Sequence, residues 1–264
     1  MADRFDGVRR KIDRAKEHIA DLEAAIGTLS LDRPYAVAIK DHGEPGKLVA
    51  YVSHMEPWLP DRLQRLSLIA GEATHSMRTA LDYFACDVVP LVTDETAFPV
   101  WRKSRVPSTQ DLIGLMGRKV QGAPQALVDA LCALEPYQRA KGHQIWLLDH
   151  LDAIDKHRLL VAVAVVTRSV VFDFAETFRS MGILSGPVPS MPLEINMADR
   201  DILNVGVELL SGPADFFATQ QELQFPCDVV FDEPNSIGRD LIALTLRHLV
   251  DEVEALLQKL MPLA

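Results

Sequence analysis

Cysteine is scarce: the three in this 264-residue chain, Cys86, Cys132 and Cys227, lie too far apart for a CxxC metal or redox motif, and their odd number argues against a secreted disulfide framework. A reducing compartment is the expectation. Long apolar runs are missing as well. No stretch reaches the roughly 18 consecutive apolar residues a membrane-spanning helix needs, and no apolar signal core follows the opening Met1-Ala2-Asp3-Arg4-Phe5. The sequence therefore reads as a cytoplasmic protein with no membrane partner. Neither GxGxxG nor GxxxxGK[ST] occurs, so dinucleotide and P-loop nucleotide binding lack support. There is no GxSxG elbow for a serine nucleophile and no HExxH pair for zinc.

What is present is ordinary globular material, 48% hydrophobic and 24% charged, with a formal net charge of -10. That charge opposes non-specific binding to nucleic acid but leaves room for a local cationic site. Phe5, Val8, Ile12, Ala15, Ile19, Leu22, Ile26 and Leu29 recur in steps of three and four, which predicts a long amphipathic helix over 5–29. Ile242, Leu246, Leu249, Val253, Leu256 and Leu260 repeat the pattern, predicting a helix over 237–261 behind a cap at Asn235 or Ser236. These stripes are expected to pack within one chain, with a homodimer through the terminal helices as the alternative.

Between them, Tyr35–Ile39 and Lys47–Val52 read as a β-hairpin around Asp41-His42-Gly43-Glu44-Pro45-Gly46. A helix is predicted over 61–88, shorter ones near 109–117 and 124–134, where Pro136 intervenes, and another over 144–157. The β-branched run from Leu159 to Phe174 reads as a second hairpin turning at Thr167-Arg168-Ser169. The proline-rich 185–192 is a predicted loop, and strands follow near 205–210 and 228–231. The expected architecture is α+β: a helical layer and an antiparallel sheet within a single domain spanning 1–264.

Two charged stripes carry the candidate chemistry. His75, Arg78 and Asp82 stand at i, i+3 and i+7 on helix 61–88, within roughly 60° of one another at about 100° per residue. Asp149, Asp152 and Lys156 repeat that spacing on helix 144–157, flanked by Asp155 and His157 and followed by Arg158. An imidazole can exchange protons, guanidinium and ammonium groups can hold an oxyanion, and carboxylates can orient both. The ordinary alternatives are a salt-bridged surface on the first helix and, on the second, last-turn cations favoured by the helix dipole by roughly 0.3–1 kcal/mol each. His143, His150 and His157 recur every seven residues. They cannot share one metal, because heptad neighbours lie about 10.5 Å apart along a helix. A mixed site drawing on His75, Asp82 and Asp152 or Asp155 is the remaining metal reading; the working expectation is no metal and no cofactor.

The segments Gly71–Asp82, Phe98-Pro99, Glu135-Pro136-Tyr137 and Trp146–Arg158 together resemble a group of uncharacterised bacterial and phage proteins, over roughly 60–165. More remotely, a helix bearing His75-x-x-Arg78-x-x-x-Asp82 resembles the HEPN class of helical proteins. That resemblance implies metal-independent ribonuclease chemistry and dimer formation. The HEPN signature Arg-x(4–6)-His is not met, since Arg139–His143 and Arg14–His18 are each one residue short. The functional expectation is a metal-independent site that cleaves a phosphodiester or binds an anion, with a small anionic molecule or RNA as partner. His75 or His157 would act as acid or base, Arg78, Lys156 and Arg158 would hold the anion, and Asp82, Asp152 and Asp155 would orient them. The alternative is a non-enzymatic interaction protein whose stripes form a structural polar network.

Overall fold

The computed structural model describes residues 3–160, 162–173, 192–214, 217, 227–233 and 240–264. Its elements are those of an α+β protein: α1 (Asp6–Leu31), β1 (Tyr35–Asp41), β2 (Lys47–Met55), α2 (Leu59–Val88), α3 (Thr109–Lys119), α4 (Gln125–Leu134), α5 (His143–His157), β3 (Ala162–Asp173), β4 (Pro192–Ile202), β5 (Glu208–Pro213), β6 (Cys227–Phe231) and α6 (Ile242–Leu260). Among the described residues no helix is long and apolar enough to cross a membrane. The single domain read from the sequence resolves into two compact units by contact. One comprises residues 1–24, 65–161 and 233–264, and the other residues 25–64 and 162–232.

The first unit is helical. Its terminal segments run antiparallel, because Lys16 pairs with Glu254 at 2.8 Å and, seven residues further along both helices, Glu23 pairs with Arg247. The predicted seams lie inside: Val8, Ile12, Ala15, Ile19 and Leu22 of α1 are buried, as are Ile242, Leu246, Leu249, Val253 and Leu260 of α6, with Leu257 taking the place expected of Leu256. Those apolar positions are therefore covered within the chain, and a zipper with a second copy would require this pair to separate. The proposed cap at Asn235-Ser236 lies outside the described residues. Leu246 is fully buried, so Leu246→Ala should cost about 2–5 kcal/mol through lost burial and the cavity left behind. Urea unfolding would register this as a lower midpoint at an unchanged slope; an unshifted midpoint would contradict the seam.

The second unit carries two antiparallel three-stranded sheets, ordered β1-β2-β5 and β4-β3-β6. The first hairpin forms as expected. Its loop turns on Gly43 and Gly46, with φ of 86° and 75°, values that side chains rarely tolerate, and Asp41 accepts a hydrogen bond from the Gly43 amide at 3.0 Å. The second predicted hairpin does not form. Residues 162–173 make one strand of 12 residues that pairs with β4 on one edge and β6 on the other. Thr167-Arg168-Ser169 offers no glycine or asparagine for the positive φ of a tight hairpin turn, so the chain continues through a register irregularity there. β4 was not foreseen; its Pro192 opens the strand, where a missing amide donor is tolerated. The strand expected at 205–210 begins at Glu208, because Val205 and Gly206 form the preceding turn. The rest of the predicted loop, 185–191, lies outside the described residues.

Candidate functional site

Both charged stripes belong to the helical unit, and they meet. The apolar residues Ala73, Met77, Ala80, Leu81 and Phe84 of α2 and Leu147, Leu148 and Leu151 of α5 are buried. With these faces turned inward, the polar stripes come together along the line where the two helices pass each other. Contacts proceed in antiparallel steps: Arg78 meets Asp149, His75 meets Asp152, and Gly71 meets Asp155. These are three rungs of a ladder. The two stripes are thus paired with each other and are not independent clusters.

The first rung is a clamp. Arg78 donates through Nε to Asp149 Oδ1 at 2.9 Å, through Nη1 to Asp82 Oδ1 at 2.7 Å, and through Nη2 to the Phe98 carbonyl at 3.2 Å. The Phe98 amide in turn donates to Asp82 Oδ1 at 2.9 Å. Arg102 closes the other side of Asp149 with two bonds, Nε to Oδ2 at 2.6 Å and Nη2 to Oδ1 at 2.7 Å. Burial alone would resist ionisation of Asp149, but the hydrogen bonds and charge of Arg102 and the charge of Arg78 outweigh it and hold its carboxyl below the usual range. The bonds that Arg102 donates to Asp149 correspondingly push its own pKa further up.

This lowered value has a stability consequence. The folded pKa of Asp149 lies below its unfolded value, so its contribution is complete above about pH 4 and is lost as pH falls through the folded value. Urea midpoints followed from about pH 7 to about pH 3 should therefore drop at the acid end, and drop less in an Arg78→Met, Asp149→Leu double variant. Equal slopes in the two proteins would show that the clamp carries none of the acid sensitivity.

The second rung differs in exposure. His75 Nδ1 lies 3.0 Å from Asp152 Oδ1, and Lys156 Nζ donates to Asp152 Oδ2 at 2.6 Å. The Asp152 side chain is 2% exposed, whereas those of His75 and Lys156 are 50% and 52% exposed. A carboxylate at Nδ1 sets the neutral tautomer with its proton on that nitrogen, leaving the Nε2 lone pair on the outer side, where Thr79 Oγ1 stands at 3.4 Å. Arg102 adds a second outer cation with 64% of its side chain exposed, above an Asp149 that is 2% exposed. Along this outer edge charge is sorted by depth: His75, Lys156 and Arg102 stand outside Asp152 and Asp149, while the cation Arg78 is buried with those two acids.

The third rung brings Asp155 against the backbone of α2. Burial raises its carboxyl pKa, the neighbouring Asp152 and Glu72 raise it further, and a hydrogen bond from the Leu160 amide and the charge of His75 only partly oppose this. The acid within hydrogen-bond distance of His75 is Asp152, while Asp155 lies against Gly71. His157 and Arg158 do not join the ladder: His157 is exposed, and Arg158 pairs with the buried Glu233 at 2.7 Å. Sequence reasoning missed Arg102, Gly71 and Thr79. The only signal for Arg102 was its place directly behind the apolar Phe98-Pro99-Val100-Trp101.

The histidine heptad has a separate explanation. His143 and His150 stack on the buried Trp146, with ring centroids 5.6 and 5.0 Å away. Glu72-Ala73-Thr74-His75 has the Glu-x-x-His spacing that di-iron helices use, yet among the described residues no group of three or more His, Cys, Asp or Glu side chains is placed to hold a metal ion. Burial raises the pKa of all three thiols, that of the buried Cys227 to about 12. No protein-family model, curated protein or solved structure matches the chain.

Proposed function

We propose that the outer edge of this ladder is an acid-base and anion-binding site for a phosphodiester, with RNA as the first substrate to test. The observation that carries the reading is the depth sorting of charge: His75, Lys156 and Arg102 stand half or more exposed over carboxylates that are 2% exposed. In this reading His75 is the general base at Nε2, and Asp152 holds its tautomer and orientation. Lys156 and Arg102 have N–H donors beyond those used on Asp152 and Asp149, and these meet the phosphate oxygens. Arg78, Asp82 and Asp149 hold the two helices in register and take no part in the reaction. RNA suits the set because its 2′-hydroxyl is a nucleophile built into the substrate. Metal-independent ribonuclease activity is also what the HEPN resemblance implies. A cytoplasmic setting accords with the three free thiols.

The test is cleavage of RNA by the wild-type chain, His75→Ala and His157→Ala. Activity that disappears with His75 and persists without His157 supports the site. Equal activity in all three sinks the acid-base assignment. A second reading rests on the complete pairing of the buried Arg78: the ladder is a structural polar network in an interaction protein. It is favoured if the wild type cleaves nothing while the ladder variants lose only stability.

A further inference from the structure

The ladder loses counter-charge from rung to rung. Asp149 meets two guanidinium groups, and Asp152 meets an imidazole and an ammonium. Asp155 meets Gly71. A Cβ built on Gly71 would stand 2.4–2.6 Å from the three atoms of the Asp155 carboxylate, so no other residue at 71 leaves that carboxylate where it is. Its hydrogen bond from the Leu160 amide survives protonation, since a carbonyl oxygen accepts it in either state. The charged neighbours are Asp152 and Lys156 on α5 and Glu72 and His75 on α2, with His18 of α1 close enough to feel Glu72. Lys156 is bonded to Asp152, so the groups bearing on Asp155 are mainly two further carboxylates and the imidazole.

We infer that Asp155 is the proton donor that works with His75 in one site, and that Gly71 is the positioning residue that admits its carboxyl to the rung beside the imidazole. This rests on the proposed phosphodiester reaction and assigns its second catalytic residue. His75 Nε2 takes the proton from a ribose 2′-hydroxyl, and the 2′-oxygen bonds to the adjacent phosphorus. The bond from phosphorus to the 5′-oxygen breaks, and that oxygen takes the proton of Asp155. The products are a 2′,3′-cyclic phosphate and a 5′-hydroxyl. Protonated His75 and ionised Asp155 return to their starting states by one proton passing between them through water. The raised carboxyl pKa of Asp155 is in keeping with the donor role.

The experiment compares two substrates in the full chain: a dinucleotide with a 5′-alkoxide leaving group, and uridine 3′-(4-nitrophenyl phosphate), whose nitrophenolate leaves without a proton. Asp155→Asn keeps the shape and the Leu160 bond. It should slow dinucleotide cleavage by at least about 10²-fold while leaving nitrophenyl ester cleavage near wild type; His75→Ala should lose both. Gly71→Ala, which displaces the carboxyl, should resemble Asp155→Asn on both substrates. The ¹³C carboxyl resonance of Asp155 should titrate above the ordinary range in wild type and move back toward it in Gly71→Ala. Equal losses on both substrates in Asp155→Asn, or no loss on the dinucleotide, would overturn the donor role while leaving the base assignment to His75 standing. A wild-type chain that cleaves neither substrate removes both.

Discussion

Replacing Arg78 with alanine should destabilise the helical unit by about 3–5 kcal/mol, the range for removing one member of a buried ion pair. The size follows from what is left behind. Asp149 would keep Arg102, but Asp82 would lose its guanidinium and the Phe98 carbonyl its donor. A desolvated acceptor without a partner costs about 1–3 kcal/mol. Arg78→Lys should recover little, because one ammonium cannot reach three acceptors arranged around a planar fork. The double variant Arg78→Met, Asp149→Leu should be less damaging than Arg78→Ala alone, since it removes a buried charge from both sides. Urea unfolding of the four proteins supplies the measurement. An Arg78→Ala protein within about 1 kcal/mol of wild type would mean that the clamp adds nothing beyond an ordinary hydrogen bond.

The second large effect is on rate. His75→Ala should lower kcat/KM for RNA by about 10²–10⁴-fold, the usual yield of a positioned acid or base, while the protein stays folded. Its side chain is half exposed, and Asp152 retains Lys156, so the stability cost is that of a partly solvated pair, about 1 kcal/mol or less. Asp152→Asn should reproduce most of the rate loss with the imidazole still present. An amide can present its N–H to Nδ1 and turn the ring into the wrong tautomer. Lys156→Ala should act mainly on KM, because an anion-holding cation contributes to binding in both ground and transition states. Rate and stability measured on the same samples separate the rungs: Arg78 moves stability, His75 moves rate. A His75→Ala chain that loses stability as steeply as Arg78→Ala, with no change in turnover, would return the ladder to the structural reading.

The parts of the fold readable from sequence were those governed by short periods. The heptads of α1 and α6 and the stripe of α2 follow from apolar residues every three or four positions, and the first hairpin from glycines where φ must turn positive. The same arithmetic showed that His75, Arg78 and Asp82 share one face, as do Asp149, Asp152 and Lys156. It failed where tertiary pairing outweighs local preference. The run from 162 to 173 became one strand because β6 pairs with its first part, 162–166, and β4 with 165–173, carrying the backbone through the predicted turn. Pro192 marked a strand start rather than a loop.

The sequence by itself determined the types of group available for chemistry, their order along two helices and the face each occupies, because helical geometry is local. Only the tertiary structure decided that these faces oppose each other in antiparallel steps. That stepping gave Asp152 rather than Asp155 to His75, recruited Arg102 from a loop, and left His157 and Arg158 outside. The acids, imidazole and cations between 152 and 158 are therefore divided by depth. Burial and pairing distance are set by the partner helix, and a residue at position 71 as small as glycine has meaning only once the carboxylate of Asp155 is seen resting on it.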